Sequence, residues 1–230
     1  MSDYFIESLI RLYDDPAGYQ AAESQQKLRT RTFLETNHLF RISKLIDAKV
    51  QDYVLQFETS PSLFSPTRLD NGTLAMLSIV RFVSDDKVLN LGCGYGTVGV
   101  FAAKQVRPEA VWMVDNDPEA VTLAARNAML NNVDGVHVLL SDGFAQIQET
   151  GFTKILCNPP YHVDFSVPRR FIEKGFNRLA PRGEMWMVTR RVDWYRNKIS
   201  AIFGGVRLHN AGGYTVFEAI KQSPNYARRL

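Results

Sequence analysis

The stretch LGCGYGTVG, residues 91–99, decides the fold class of this chain. It follows a short apolar segment, Lys87 to Leu91, and precedes a segment of helical character that extends to about Gln105. Alternating glycines between a strand and a helix let the backbone turn sharply and approach a ligand more closely than a β-carbon would allow. Residues 94–99 also match the GxGxxG pattern of dinucleotide-binding loops. The stretch therefore predicts a strand–loop–helix unit with a ligand at the loop.

The same alternation of strand and helix continues toward the C-terminus. Continuously apolar strands that alternate with crossover helices form a doubly wound, mostly parallel sheet with helices on both faces. The last two predicted strands are separated by a short connection with Ala211-Gly212-Gly213, which permits only a hairpin and makes the last strand antiparallel. The sequence thus predicts an α/β protein with a seven-stranded sheet, whose later strands span 110–114, 136–140, 154–157, 185–188, 206–209 and 214–220.

The region before this sheet has a different pattern. Apolar residues near helical spacing predict a small, mainly helical N-terminal extension over 1–49, with a helix from Phe33 to Ile46. The period then changes to two from Tyr53 to Phe57, which predicts a strand ending at Ser60–Pro61. The main domain is therefore predicted to cover residues 50–230.

Net charge and composition limit the possible environments. The formal net charge is +3, but from Ser166 onward 13 lysines and arginines stand against 4 acids. Such asymmetry is typical of a surface that faces a polyanion, and a solvated face explains it equally well. No apolar run is long enough for a transmembrane helix, and the first twenty residues lack the features of a secretion signal, so the cytoplasm is expected and no membrane partner.

The histidines and cysteines predict neither a metal site nor a nucleophile. The four histidines lack metal-ligand spacing, so no metal is expected. Cys93 and Cys157 have no recognisable base beside them, and apolar filling is the better interpretation of both.

Acidic residues follow the second and third strands of the sheet. Asp115, with Asn116 beside it, lies 23 residues beyond Gly92, where a carboxylate can accept hydrogen bonds from the ribose hydroxyls of a nucleoside. Asp117 is better placed to cap the next helix. Asp142, followed by Gly143, can accept from an adenine amine. Because ligands bind at the carboxyl ends of parallel strands, these residues predict a nucleoside site.

The fourth strand ends in NPPY, residues 158–161, which is the most specific signal in the chain. Prolines hold the backbone extended and remove amide donors, so the Asn158 side-chain oxygen and the Pro159 carbonyl remain as paired acceptors. Such a pair suits a planar amino group, because it takes both N–H bonds and turns the nitrogen lone pair toward an electrophile. Pro160 and Tyr161 would line the acceptor site, with Tyr161 offering a ring for stacking.

These motifs resemble those of the class I S-adenosylmethionine-dependent methyltransferases. Phe64-Ser65, the LDNGT motif at 69–73, NPPYH at 158–162 and GYTVF at 213–217 narrow the resemblance to the "methyltransferase small" domain, typified by ribosomal RNA guanine-N2 methyltransferases. The resemblance covers roughly residues 50–221 and implies a Rossmann-like methyltransferase fold. It also implies that S-adenosylmethionine is held by the predicted nucleoside site, that is by Gly92, Gly94, Gly96, Asp115, Asn116, Asp142 and Gly143.

The expected activity is methyl transfer to a planar amino nitrogen, most plausibly guanine N2 of ribosomal RNA. Asn158, Pro159 and Tyr161 would act on the acceptor, and Arg169 and Arg170 would contact phosphates at its entrance. Adenine N6, a protein glutamine amide and a small aromatic amine stay open as acceptors. A nicotinamide-dependent dehydrogenase and a non-catalytic cofactor-binding module are the alternatives from other classes. The sequence does not indicate an oligomeric state.

Overall fold

A seven-stranded sheet forms the centre of the fold. A computed structural model describes residues 44–159 and 164–227, all of which belong to one compact unit. The strands are β1 (Lys44–Val50), β2 (Tyr53–Thr59), β3 (Val88–Leu91), β4 (Val111–Asp115), β5 (His137–Leu140), β6 (Phe152–Cys157), β7 (Leu179–Thr189), β8 (Arg207–Ala211) and β9 (Tyr214–Ile220). The large sheet has the order β5-β4-β3-β6-β7-β9-β8, and β1 pairs with β2 in a separate two-stranded sheet.

Within residues 44–159 and 164–227, five α-helices cover the two faces of the large sheet. They are α1 (Asn71–Ile79), α2 (Thr97–Ala103), α3 (Pro118–Leu130), α4 (Ser166–Arg178) and α5 (Val192–Phe203). One apolar cluster joins one face of the sheet to α1, α2 and α3. A second cluster joins the other face to α4 and α5. The doubly wound architecture predicted from the sequence is therefore confirmed. No helix within the described ranges is long and apolar enough to cross a bilayer.

The central strands end level with one another, which fixes where a ligand can bind. β3 is buried along its whole length and pairs in parallel with both β4 and β6. Leu91, its last residue, lies opposite Val114 on one side and Cys157 on the other. The loops that follow these three strands therefore leave the sheet at one edge, as the sequence predicts.

The antiparallel end of the sheet also agrees with the prediction. β9 pairs antiparallel with both β7 and β8, so it is inserted between them. Its hairpin with β8 turns at Gly212 and Gly213, whose φ angles are +57° and +77°. Two successive positive φ angles are the geometry of a tight type I′ turn, which glycine adopts without steric cost.

The N-terminal end of the described chain differs from the prediction. The helix predicted to run from Phe33 through Ile46 is wrong for its last residues, because Lys44–Val50 is β1. Ile46 and Val50 are buried while Leu45, Asp47 and Lys49 are exposed, which is the period of a strand. The boundary predicted after residue 49 falls inside this strand. The part of the predicted extension before Lys44 lies outside the described residues.

Asn127 of α3 and Asn131, the C-cap of the same helix, attach the small sheet to the rest of the fold. Asn127 Oδ1 accepts from the backbone N–H of Glu58 at 2.7 Å, and its Nδ2 donates to the Glu58 carbonyl at 3.0 Å. Asn131, one helical turn later, makes the same pair of bonds to Gln56. These side-chain amides bind the backbone N–H and C=O groups on the outer edge of β2, as a neighbouring strand would. Asn127 Nδ2 also donates to the Tyr95 carbonyl, which links the hairpin to the glycine loop.

Candidate functional site

The glycine loop after β3 has the backbone conformation that its sequence predicts. Gly92, Gly94 and Gly96 have φ angles of +69°, +54° and +98°, a region that residues with a β-carbon rarely adopt. A β-carbon on Gly92 or Gly94 would meet no atom within 4 Å, so this side of the loop borders open space. Gly96 instead lies against α3, where a β-carbon would be 3.2 Å from Ala124. Gly92 and Gly94 thus border the site, and Gly96 lets the loop pack on α3.

Asp115, at the end of β4, holds the loop in place. Its Oδ2 accepts from the Gly94 N–H at 2.8 Å, and its Oδ1 accepts from the Asp117 N–H at 3.1 Å. A carboxylate has about four acceptor positions, so each oxygen can take one further donor. Asn116 beside it is exposed. Asp117 caps α3 by accepting from the Glu119 N–H at 2.8 Å, which confirms the capping role predicted from the sequence.

Asp142 and Arg170, two predicted site residues with different roles, lie against each other. The Arg170 guanidinium nitrogens are each 3.4 Å from one Asp142 carboxylate oxygen, and both side chains are largely exposed. Gly143 has a φ of +59°, and a β-carbon there would lie 3.0 Å from Phe171 of α4. The loop after β5 therefore follows the surface of α4 closely, which brings the start of α4 to the nucleoside side of the site.

Asn158, immediately after β6, is oriented by two residues of the segment around α1. Its Nδ2 donates to Asp70 Oδ2 at 2.7 Å and to Thr73 Oγ1 at 3.0 Å. A carboxylate oxygen only accepts, so the amide nitrogen must face Asp70 and the amide oxygen must point away from it. Asn158 Oδ1 is buried and has no hydrogen-bond partner within the described residues. A buried acceptor without a donor is rare, and it is the arrangement that an incoming N–H group would complete.

Asp70 is a site residue that the sequence reasoning quoted only as part of a motif. It is the N-cap of α1, and the oxygen that accepts from Asn158 also accepts from the Thr73 N–H at 2.7 Å. Gly72 lets this turn pass close to β9, because a β-carbon there would lie 2.9 Å from Tyr214 Cε1. The signal in the sequence is Asp70 directly before an apolar helix, which is the position of an N-cap.

The remaining predicted acceptor residues are only partly described. Pro159 is buried directly after Asn158. Pro160 and Tyr161 lie outside the described residues, so their roles stay predictions. Arg169, on the first turn of α4, is paired with Glu173 at 3.0 Å, and Glu173 also binds Lys198.

Burial makes the two thiols near the site unreactive. Desolvation, with the charge of Asp115 adding to it, raises the pKa of Cys93 and of Cys157 well above the usual range of a thiol. A thiol held neutral is a poor nucleophile. The interpretation of both cysteines as apolar fillers is therefore confirmed. Burial also raises the pKa of the Tyr95 phenol, whose hydroxyl donates to the Ser65 carbonyl at 3.4 Å. Among the residues that the structure describes, no cluster of histidine, cysteine or carboxylate side chains suits a metal ion.

Comparison with known proteins identifies the same domain. The profile of the family described as "Methyltransferase small domain" matches residues 54–218. The chain is 33% identical over 190 residues to a ribosomal RNA small subunit methyltransferase C of Hahella chejuensis, a match that covers 80% of this chain and 54% of the relative. It is 29% identical over 171 residues to the uncharacterized protein YbxB of Bacillus subtilis, covering 72% of this chain and 85% of that protein.

A solved structure shares the fold. A T. thermophilus 16S rRNA N2 methyltransferase in complex with AdoMet and guanosine superposes with a TM-score of 0.72 at 25% identity, covering 77% of this chain and 50% of that one. The architecture is thus the Rossmann-like methyltransferase fold. The chain spans about half the length of the named ribosomal RNA methyltransferases that it matches.

Proposed function

This chain belongs to the methyltransferase small domain family, and we propose that it transfers a methyl group from S-adenosylmethionine to the N2 amino group of guanine in ribosomal RNA. The observation that carries the proposal is Asn158 Oδ1, a buried acceptor turned away from Asp70 and without a donor among the described residues. An exocyclic amino group has the N–H bond that this oxygen lacks.

The predicted nucleoside site fits S-adenosylmethionine. Gly92 and Gly94 border open space where the methionyl part would lie. Asp115 keeps one free acceptor position on each oxygen for the two ribose hydroxyls, and Asn116 is exposed beside it. Asp142 and Gly143 would border the adenine. When bound, S-adenosylmethionine supplies an electrophilic methyl group on a sulfonium.

The residues after β6 would orient the acceptor amine. Asn158 Oδ1 and the Pro159 carbonyl would each accept one N–H bond, which holds the nitrogen lone pair in line with the methyl group. Asp70 fixes the Asn158 amide and polarises it, so its oxygen becomes a stronger acceptor as positive charge develops on the nitrogen. Tyr161 would stack on the base. Orientation and electrostatic stabilisation of this kind account for most of the expected rate increase.

Little further proton chemistry is required of the protein. The amino proton becomes acidic only after methylation, when the nitrogen carries a positive charge, so it can leave to water. Cys93 and Cys157 are excluded as bases in this step because burial raises their pKa values and keeps them protonated.

Guanine N2 in ribosomal RNA is proposed because of the relatives. The Hahella chejuensis relative is named a ribosomal RNA small subunit methyltransferase, and the T. thermophilus structure holds AdoMet and guanosine. A base in structured RNA must first be unstacked to reach Asn158, so an unpaired guanosine is the expected acceptor. A ribosomal substrate also implies action in the cytoplasm.

The proposal is tested with labelled S-adenosylmethionine and fractionated cell RNA, DNA and protein. We expect label in ribosomal RNA, recovered after nuclease digestion as N2-methylguanosine, and labelling on the order of 100-fold slower with the Asn158→Ala variant. Label in DNA, in protein or in N6-methyladenosine would replace the acceptor proposed above. Absence of label in every fraction, with S-adenosylmethionine bound, would favour the non-catalytic binding module.

A further inference from the structure

Arg190 and Asn158 follow neighbouring strands and lie on the same face of the sheet. β6 and β7 are parallel neighbours, and successive residues of a strand point to opposite faces. Leu156 of β6 and Val188 of β7 both belong to the apolar cluster on the α1 side. Asn158 and Arg190 come two positions after them, so both belong to the α1 side as well.

The register of the two strands places Arg190 close to Asn158. Cys157 is opposite Met187, so the next residues, Asn158 and Val188, are level with each other. Arg190 is two residues further along. Continuing the ladder at about 3.3 Å per residue and about 4.8 Å between strands puts its α-carbon roughly 8 Å from that of Asn158. A base that contacts the Asn158 side chain is therefore within reach of the Arg190 side chain.

Tyr214 holds the Arg190 guanidinium on this face. The guanidinium carbon is 4.5 Å from the centre of the Tyr214 ring. That ring is buried and packs against Gly72, two residues after Asp70. Asp70 in turn accepts from the Asn158 amide nitrogen. The same packed turn therefore positions the amide that would bind the acceptor amine and the ring that supports the guanidinium.

The edge of this guanidinium is available to a ligand. Arg190 is exposed, and no carboxylate within residues 44–159 and 164–227 pairs with it. A cation that rests on the face of a ring keeps its in-plane N–H groups able to donate. Arg169 and Arg170, by contrast, are each paired with a carboxylate. Arg190 is thus a planar donor, supported on a ring, beside the proposed acceptor site.

The pair of acceptors proposed for the amino group does not by itself distinguish guanine from adenine. Asn158 Oδ1 and the Pro159 carbonyl can accept the two N–H bonds of guanine N2 or of adenine N6. The two bases differ at the next carbon of the ring, beyond N1. Guanine carries O6 there, whereas adenine carries only a C–H. A donor at this position would therefore stabilise bound guanine and would find no acceptor on adenine.

We propose that Arg190 donates to O6 of the target guanine and thereby selects guanine over adenine. The inference rests on the proposed function and adds to it the residue that sets the choice of base. Arginine is well suited to guanine, because its planar guanidinium presents several donors to the edge that carries O6 and N7. Support by the buried Tyr214 ring also reduces the freedom that the guanidinium loses when the base binds.

The experiment compares two short single-stranded oligoribonucleotides, one with a single central guanosine and one with 2-aminopurine riboside in its place. 2-Aminopurine keeps the amino group on C2 and lacks O6, and the phosphates of the two strands are identical. The test variant is Arg190→Met, which removes every donor and keeps an apolar stem. The matched control is Arg107→Met, which removes the same charge from an exposed arginine ahead of β4, at the opposite edge of the sheet.

The measured quantity is kcat/KM for methylation of the guanosine strand divided by kcat/KM for the 2-aminopurine strand. We expect this ratio to be on the order of ten or more in the unaltered protein and in the control, as for one good contact between arginine and guanine. In Arg190→Met the ratio should fall on the order of ten-fold. An unchanged ratio would overturn the inference. An equal loss of activity on both strands would show that Arg190 binds phosphate and would overturn it too.

Binding of the same strands separates this inference from the proposed function. The Kd values, measured with S-adenosylhomocysteine present, should show the same preference for the guanosine strand and the same loss of preference in Arg190→Met. If this preference is found and the unaltered protein methylates no guanine, the proposed function fails and the base-selecting role of Arg190 stands. If the protein methylates guanine and Arg190→Met keeps the preference of the control, the role of Arg190 fails and the function stands.

Discussion

The Asn158 amide nitrogen lies 2.7 Å from Asp70 Oδ2, although 88 positions separate the two residues in the chain. Asp70 begins α1, ahead of the glycine loop, and Asn158 ends the strand that carries the NPPY motif. The hydrogen bond therefore joins the segment before the large sheet to the acceptor end of the sheet. It also makes the amide oxygen of Asn158, and not the amide nitrogen, the atom that faces the proposed acceptor site.

Asp70→Asn should reduce methyl transfer while the fold is retained. Asparagine is as good an N-cap as aspartate, so α1 should keep its first turn. A neutral acceptor holds the Asn158 amide less strongly than a carboxylate, since charge-assisted hydrogen bonds are about twice as strong. We expect kcat to fall on the order of ten-fold with little change in the Kd for S-adenosylmethionine. Thr73→Val, which keeps the N–H bound to Asp70, should have a smaller effect. An unchanged kcat in Asp70→Asn would refute the positioning role.

Asn158→Ala should separate cofactor binding from turnover. The variant removes the oxygen proposed to accept the substrate N–H, and loss of one oriented polar group in a reaction site lowers the rate on the order of 100-fold. Calorimetry should give a Kd for S-adenosylmethionine close to that of the parent. A matched loss of cofactor affinity would instead place Asn158 in the cofactor pocket.

Asp115→Ala should abolish most of the thermal stabilisation by S-adenosylmethionine. A ligand that binds only the native state raises Tm by mass action, and Asp115 is proposed to bind its ribose. The variant also loses the bond to the Gly94 N–H, so its own Tm should fall, consistent with about 1 kcal/mol. The measurement is the shift in Tm between protein with and without ligand. A shift as large as that of the parent would show that Asp115 only supports the loop.

Arg170→Ala and Asp142→Ala should have different effects although the residues are paired. An exposed ion pair contributes under about 1 kcal/mol, so neither variant should lower the free energy of unfolding by more than that. If Asp142 accepts from the adenine amine, Asp142→Ala should weaken S-adenosylmethionine several-fold, consistent with loss of about 1 kcal/mol. Arg170→Ala should bind the cofactor as the parent does. Equal affinities for the two variants would remove Asp142 from the adenine site.

The buried thiols should resist alkylation in the folded protein. They should also lower the free energy of unfolding at alkaline pH. Because burial raises the pKa of Cys93, the thiol stays protonated at pH 8 and should react with iodoacetamide only after the protein unfolds in urea. In the unfolded chain the same thiol ionises near pH 8.5. The unfolded chain thus loses the thiol proton at a lower pH than the folded protein does. The free energy of unfolding is therefore unaffected below that pH and falls as the pH rises above it. Urea midpoints measured from pH 7 to 10 should fall at the alkaline end, and rapid labelling of folded protein at pH 8 would contradict the burial.

The sequence predicted the residues at the strand ends because parallel strands impose a common edge. Asp115 and Asn158 follow apolar runs in chain order, so their proximity needs only the sheet topology. The apolar runs predict the strands of the sheet. The short connection between the last two strands predicts the turn at Gly212-Gly213.

The sequence did not predict contacts that depend on how helices pack on the sheet. The pairing of Asp70 with Asn158 requires α1 to lie against the acceptor edge, and no local pattern contains that position. The same holds for Arg170, because its contact with Asp142 depends on how α4 packs beside the loop after β5. The helix predicted from Phe33 to Ile46 overlaps only the first residues of β1, where the alternation is short and the outward positions include the apolar Leu45.

The insertion of β9 between β7 and β8 sets the order in which the protein can be completed during synthesis. Residues 88–157 contain every strand that carries the proposed cofactor residues, and they leave the ribosome before β7, β8 and β9. Tyr214, which packs on Gly72 and supports Arg190, belongs to the last strand. A nascent chain can therefore assemble the nucleoside end of the site while the acceptor end still lacks one wall. The wall that Tyr214 forms beside Gly72 is therefore completed only when the last strand has been synthesised.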